Sequence, residues 1–233
     1  MAKTFKILSA LLSYPSAELQ SAVPELKAAL DQEMLLSGKQ RRALDRLLGE
    51  IETRDLYDLQ ERYVLLFDRT RSLSLHLFEH IHGESRERGQ ALVDLGLLYE
   101  RHGLAIDARE LPDFLPLFLE FLSAVPAGEA HVLLGEPLHI IAALRERLKK
   151  RQSTYASVFW ALETIAAGKP NGAEVDALLS EYDDDPEDLE ALDEAWAEEP
   201  VTFGPGPGGC PKVAGMLERL AVPKSTQTRN RAT

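Results

Sequence analysis

The chain has 233 residues, 45% of them hydrophobic, a formal charge of −12 and one cysteine. That length can bury a core of its own. No apolar run approaches the roughly 18 residues of a membrane-spanning helix, so membrane insertion is excluded. An acidic chain without a basic patch also excludes nucleic acid as a partner.

The first helical pattern places Phe5, Leu8, Leu11 and Leu12 on one face. Pro15 ends it, and Ser16 can cap the next helix. This short, early-broken apolar stretch does not read as an export signal. The lone Cys210 allows no internal disulfide. Together they predict a cytoplasmic protein. Ser37 and Gln40 form a capping-box pattern ahead of Leu44, Leu47, Leu48 and Ile51. Further helical patterns run from Leu56 to Phe67, Leu73 to His82, and Glu84 to His102, with Gly103 as a stop. Pro112 to Leu122, Pro137 to Arg151 and Ser153 to Ala167 follow. Asp185-Pro186 reads as the start of a last helix ending near Ala195-Trp196. Strand alternation is absent. The spacing predicts an all-α, single-domain bundle of about nine or ten helices over residues 1–199. A flexible, disordered Pro/Gly-rich and polar tail over 200–233 is expected to follow.

The charge is uneven. Glu174 to Glu199 holds 13 acids and no Lys or Arg. Such a segment is either a solvated helical hairpin or an electrostatic guide for a basic partner.

Phe78 to Ala91 is the densest polar stretch, with two imidazoles, three carboxylates and two guanidinium groups in fourteen residues. Burying that cluster requires its members to pair. His76, His80, His82 and Glu79 could seat a metal, but the order is not that of a zincin and no thiolate is near. Histidines hydrogen-bonded in a helical corner fit better, with metal and cofactor expected to be absent. Carboxylates paired with arginine stay ionised and are poor proton shuttles. Glu79 with Arg86 is therefore expected to fix a helix crossing. With no nucleophile elbow or phosphate-binding glycine loop, the chain does not read as an enzyme. Tyr63 and Phe67 share one helix face, and Pro112-Asp113-Phe114-Leu115-Pro116 leads to Phe118 and Phe121. This is either aromatic core or an apolar groove with a polar rim, able to take an amphipathic helix.

These motifs resemble the NarJ and TorD group of redox-enzyme maturation proteins. Tyr63, Leu66 and Phe67 match the group's aromatic-x-x-Leu-Phe motif. Glu79, His80, His82, Gly83, Glu84, Ser85 and Arg86 match its acidic, histidine and arginine block. Pro112, Asp113 and Pro116 match its proline–aspartate corner, with Phe114 where relatives often carry histidine. The resemblance implies an all-α, non-catalytic chaperone. Its partner would be the catalytic (α) subunit of respiratory nitrate reductase, chiefly the N-terminal segment. It would hold that subunit competent for molybdenum cofactor and iron–sulfur insertion before membrane assembly. Molybdenum cofactor delivery proteins are further partners the resemblance allows. It makes Tyr63, Leu66, Phe67, Pro112, Asp113, Phe114 and Pro116 the candidate client contacts. Basic client residues would lie near an acidic rim of Asp113 and the Glu174–Glu199 segment.

Overall fold

The helices begin where the chain supplies caps. In a computed structural model that describes residues 2–82, 86–107, 110–181 and 183, Ser16 accepts the Leu19 N–H at 3.2 Å and starts the second helix. Ser37 and Gln40 form the reciprocal cap of the third. The described residues carry eleven α-helices. They are α1 (Ala2–Leu11), α2 (Ala17–Glu33), α3 (Gly38–Thr53), α4 (Leu56–Tyr63), α5 (Glu79–His82), α6 (Arg86–Arg101), α7 (Leu115–Ala124), α8 (Ala127–Gly135), α9 (Leu138–Lys150), α10 (Ala156–Ile165) and α11 (Gly172–Ser180). No strand forms among them, only one isolated antiparallel bridge between His76 and Phe114. The all-α architecture therefore holds, within a unit spanning Met1–Glu187.

The apolar stripes meet as their spacing requires. Phe5, Leu8 and Leu12 of the N-terminal stripe lie fully buried, and α1 packs along α7 and α2. Leu44, Leu47, Leu48 and Ile51 turn α3 inward toward α2 and α10. Val158, Phe159 and Leu162 bury α10 against α9. Each such side chain contributes about 1.5–3 kcal/mol when fully buried.

Three details depart from the spacing. The helix expected from Leu56 to Phe67 is α-helical only to Tyr63 and widens into a π-helical turn at Val64–Asp68, where Arg69 N–H reaches Val64 O at 2.9 Å. The segment expected as a helix from Leu73 to His82 is a 3₁₀ turn at Arg71–Leu73, an extended stretch, and the four residues of α5. One helix, α8, arises where none is expected, and α11 falls at the start of the acidic segment for which a helical hairpin is one reading. Among the described residues no helix is long and apolar enough to cross a membrane. The expected boundary at 199/200, the helix after Pro186, Cys210 and the tail lie outside the described residues.

Candidate functional site

The extended stretch before α5 is where the motifs meet. Leu115 N–H donates to Leu75 O at 2.8 Å and Leu77 N–H to Asp113 O at 3.0 Å. These two bonds zip the histidine-containing stretch to the proline–aspartate corner. Asp113 then lies beneath, with no accessible surface. A buried carboxylate must be paired and hydrogen-bonded. Here it accepts the Phe78 N–H at 3.1 Å and pairs with His76 Nδ1 at 3.2 Å. The Arg88 guanidinium lies 3.9 Å away and donates to Glu79 at 3.0 Å. The His76 ring also lies over Phe114, centroids 5.2 Å apart.

This geometry polarises the two described imidazoles in opposite directions. The hydrogen bond to Asp113 raises the pKa of His76. Burial lowers that of His80, whose Nε2 meets the Ser74 carbonyl at 2.9 Å. His76 sits in the extended stretch and His80 in α5, so they do not share a helix face. Among the described residues no three His, Cys, Asp or Glu side chains converge to hold a metal.

Most of the other motif residues are buried. Tyr63 is buried, and its hydroxyl donates to Leu12 O at 2.8 Å. Its ring packs on Phe67, which packs edge-on against Tyr155. Burial pushes the Tyr63 phenol well above its usual range. Leu66 and Pro116 are buried, and the Pro116 carbonyl accepts from Ser9 at 2.7 Å. The Pro112 carbonyl accepts from Tyr99 at 2.7 Å. Of the seven candidate client contacts only Pro112 and Phe114 are partly exposed. Asp113, expected on an acidic rim, is instead sealed inside, because its zip to the 75–78 stretch covers it. Gly83, Glu84 and Ser85 lie outside the described residues, as do the side chains of His82 and Arg86. The expected Glu79–Arg86 pairing is therefore not described, and Glu79 is instead seen with Arg88.

Two hollows flank the 75–82 segment. On one side is a polar cleft of about 460 Å³ bordered by Asp68, Arg69, Ser74, His76, Glu79 and Arg88. On the other is an apolar groove of about 380 Å³ between Leu77, Phe78 and Ile81, Leu95 and Leu98 of α6, and Leu133 and Ile140. Ile81 is 50% exposed in that groove. Glu136 and His139 stand on its edge. The motifs gave no hint of these groove residues. The available signal was α6 itself, whose Val93 and Leu97 are exposed while Tyr99 is its one fully buried described side chain.

The described part of the acidic segment is only partly solvated. Asp183 binds Arg151 at 2.8 Å and Ser72 at 2.9 Å, and the basic neighbours hold its carboxyl below the usual range. The buried Arg147 ties the same region down by donating to Ser72 O at 2.7 Å.

Residues 15–161 match the nitrate reductase delta subunit family. The chain is 43% identical over 199 residues to the nitrate reductase molybdenum cofactor assembly chaperone NarJ of Escherichia coli, covering 84% of this chain and 83% of that one. It is 36% identical over 198 residues to NarW of the same species, named a probable chaperone of the same kind, covering 85% and 82%. A NarJ of Bacillus subtilis, likewise named as probable, is 36% identical over 162 residues, covering 68% and 85%.

Proposed function

The chain belongs to the nitrate reductase delta subunit family, and from that premise we propose that it is a cytoplasmic assembly chaperone for a nitrate reductase. The relatives matched over most of their own length are named for assembly rather than catalysis, and the chain is not an enzyme. In this reading it binds the apo catalytic (α) subunit, chiefly its N-terminal segment. It keeps that subunit open for molybdenum cofactor and iron–sulfur insertion before assembly at the membrane. Cofactor delivery proteins would meet this complex as second partners.

The observation that carries the reading is the open apolar groove beside α5 and α6. A short amphipathic helix with apolar residues every three or four positions fits such a groove. Leu77, Ile81, Leu95, Leu98 and Ile140 provide the apolar wall. Phe114 and Pro112 are the members of the motif set with surface to offer a client. Asp113 holds the chain beside that wall through the Phe78 N–H and His76, while Tyr63, Leu66, Phe67 and Pro116 are buried. Binding must be reversible, so an affinity of roughly micromolar to nanomolar is expected.

The test is calorimetric titration with a synthetic peptide of the nitrate reductase α-subunit N-terminus, against a scrambled peptide. Saturable one-to-one binding that the scrambled peptide lacks is the expected result. Equal heats from both peptides would overturn the reading. Raising the salt separates the forces: an apolar seat keeps its affinity, whereas a charge-led one loses it.

A further inference from the structure

The chain is acidic as a whole, yet the fold gathers cations on one face. On α3, Lys39, Arg42 and Arg46 recur at steps of three and four residues, so they share a side of the helix. All three are exposed, and none makes an ion pair or side-chain hydrogen bond among the described residues. The three acids of α3 do not offset them: Asp45, Glu50 and Glu52 are taken by Arg41, Arg62 and Lys27. Arg46 also borders a hollow of about 370 Å³, together with Arg145 and Lys149 of α9 and Trp160 of α10. The Arg145 guanidinium stands over the Trp160 ring, 5.5 Å from its centre, and pairs with Glu163 at 2.6 Å. Lys149 pairs with Glu146 at 2.8 Å. Those two acids neutralise the α9 cations and leave the α3 stripe uncompensated. Ala43, Ala156 and the partly exposed Trp160 give the hollow an apolar lining.

We propose that this face of α3, with the hollow beside it, is a docking surface for an acidic helical segment of a partner protein other than the client. Cations spaced three and four residues apart on one helix meet carboxylates at the same spacing on another. The indole and the two alanines seat the aliphatic carbons of that segment. The net charge of −12 does not forbid this. Charges more than about 8 Å away are largely screened at physiological salt, so a partner at the stripe meets its local charge and not the total. Complementary charge speeds encounter and selects the partner more than it deepens affinity. The surface shares no residue with the client groove: α9 gives His139 and Ile140 to the groove, and Arg145 and Lys149 to the hollow. The proposal therefore stands without the client and is tested without it.

The probe is a synthetic helix-forming peptide with glutamate at every third or fourth position, titrated into the full chain. The control is the same peptide with glutamine at those positions. Calorimetry and tryptophan fluorescence are the readouts. Saturable binding of the glutamate peptide is expected, weakened by salt, with a fluorescence change that Trp160→Phe removes. Arg42→Glu combined with Arg46→Glu reverses two exposed charges. It should weaken binding by at least about tenfold at an unchanged melting temperature. Lys6→Glu combined with Arg101→Glu, an equal reversal at exposed positions of α1 and α6, should leave binding as it is. Equal binding of the two peptides would overturn the proposal, and so would equal losses in the two double variants. A DNA oligonucleotide that binds as tightly as the glutamate peptide would overturn it by making the stripe a general polyanion site. A salt-sensitive dimer in light scattering that the α3 reversal abolishes would overturn it in favour of a second copy of the chain.

Discussion

The 75–82 segment separates two unlike hollows, one walled by arginine, histidine and carboxylate, the other by leucine, isoleucine and phenylalanine. On the polar side nearly every group is committed. Asp113 gathers Phe78 N–H and His76, and Arg88 spans Glu79 and Asp113. On the apolar side Ile81 stands half in solvent and α6 is thinly covered. The committed side fixes where the backbone runs, while on the proposed function the uncommitted side is what that backbone offers to a client. A conspicuous motif can thus mark the support of a binding surface, while the surface itself is carried by unremarkable aliphatic residues next door.

The sharpest way to break this division is to remove its buried anion. Asp113→Ala strands His76, Arg88 and the Phe78 N–H together, and breaking a buried pair costs about 3–5 kcal/mol. Urea unfolding should show that loss, and peptide binding should fall with it because the groove wall is set by the same zip. A stability within experimental error of the parent would mean that Asp113 does not hold the corner. The complementary change is Ile81→Glu. At a half-exposed site it should leave the melting temperature nearly unchanged yet weaken the client peptide by at least about tenfold, or 1.4 kcal/mol. Unaltered affinity would move the client elsewhere.

A smaller effect is expected from Tyr63→Phe, which deletes one buried hydrogen bond to Leu12 O and should cost about 1 kcal/mol, read by the same unfolding curves. The smallest effects separate the two imidazoles by pH. His76 has a folded pKa above the ordinary 6.5, so its stabilisation is complete below 6.5 and is lost as pH rises through the folded value. His80 has a lowered folded pKa, so its contribution is present above 6.5 and is lost as pH falls through the folded value. Stability of His80→Asn should therefore decline mainly on the alkaline side, and that of His76→Asn mainly on the acid side. Identical pH profiles for the two variants would contradict the opposed polarisation.

Much of the fold was legible because it depends on local chemistry. The stripe of Phe5, Leu8, Leu11 and Leu12 and the box of Ser37 with Gln40 are set by near neighbours, and the structure keeps both. The departures come from partners far along the chain. Leu73 to His82 has a helical spacing, but Leu75 and Leu77 find backbone partners at Leu115 and Asp113, and that zip keeps the stretch out of a helix. Spacing cannot see a bond made to residues nearly forty positions away. Helix α8 escaped notice because its AGEAHVLLG pattern has two glycines and little amphipathic contrast. At the site, the motif residues were legible as a group, with aromatic core as one of two readings, yet the burial of Asp113 was not. Asp113 looks like a rim residue in a one-dimensional reading and is the most enclosed acid of the corner. The Asp183 clamp was hidden for the same reason, since Ser72 and Arg151 lie far from it in sequence.

The light attachment of α6 has a consequence for how such a protein can change. Of its outward and groove-facing residues, Val93 and Leu97 are exposed and Leu95 and Leu98 are only partly buried against a core that α1, α2, α3, α7, α9 and α10 build. Substitutions there carry a small folding penalty, because surface and half-exposed positions cost little when altered. One wall of the groove is therefore free to drift in sequence while the scaffold stays intact. A chaperone built this way can be retuned to a new client by a few replacements along a single helix.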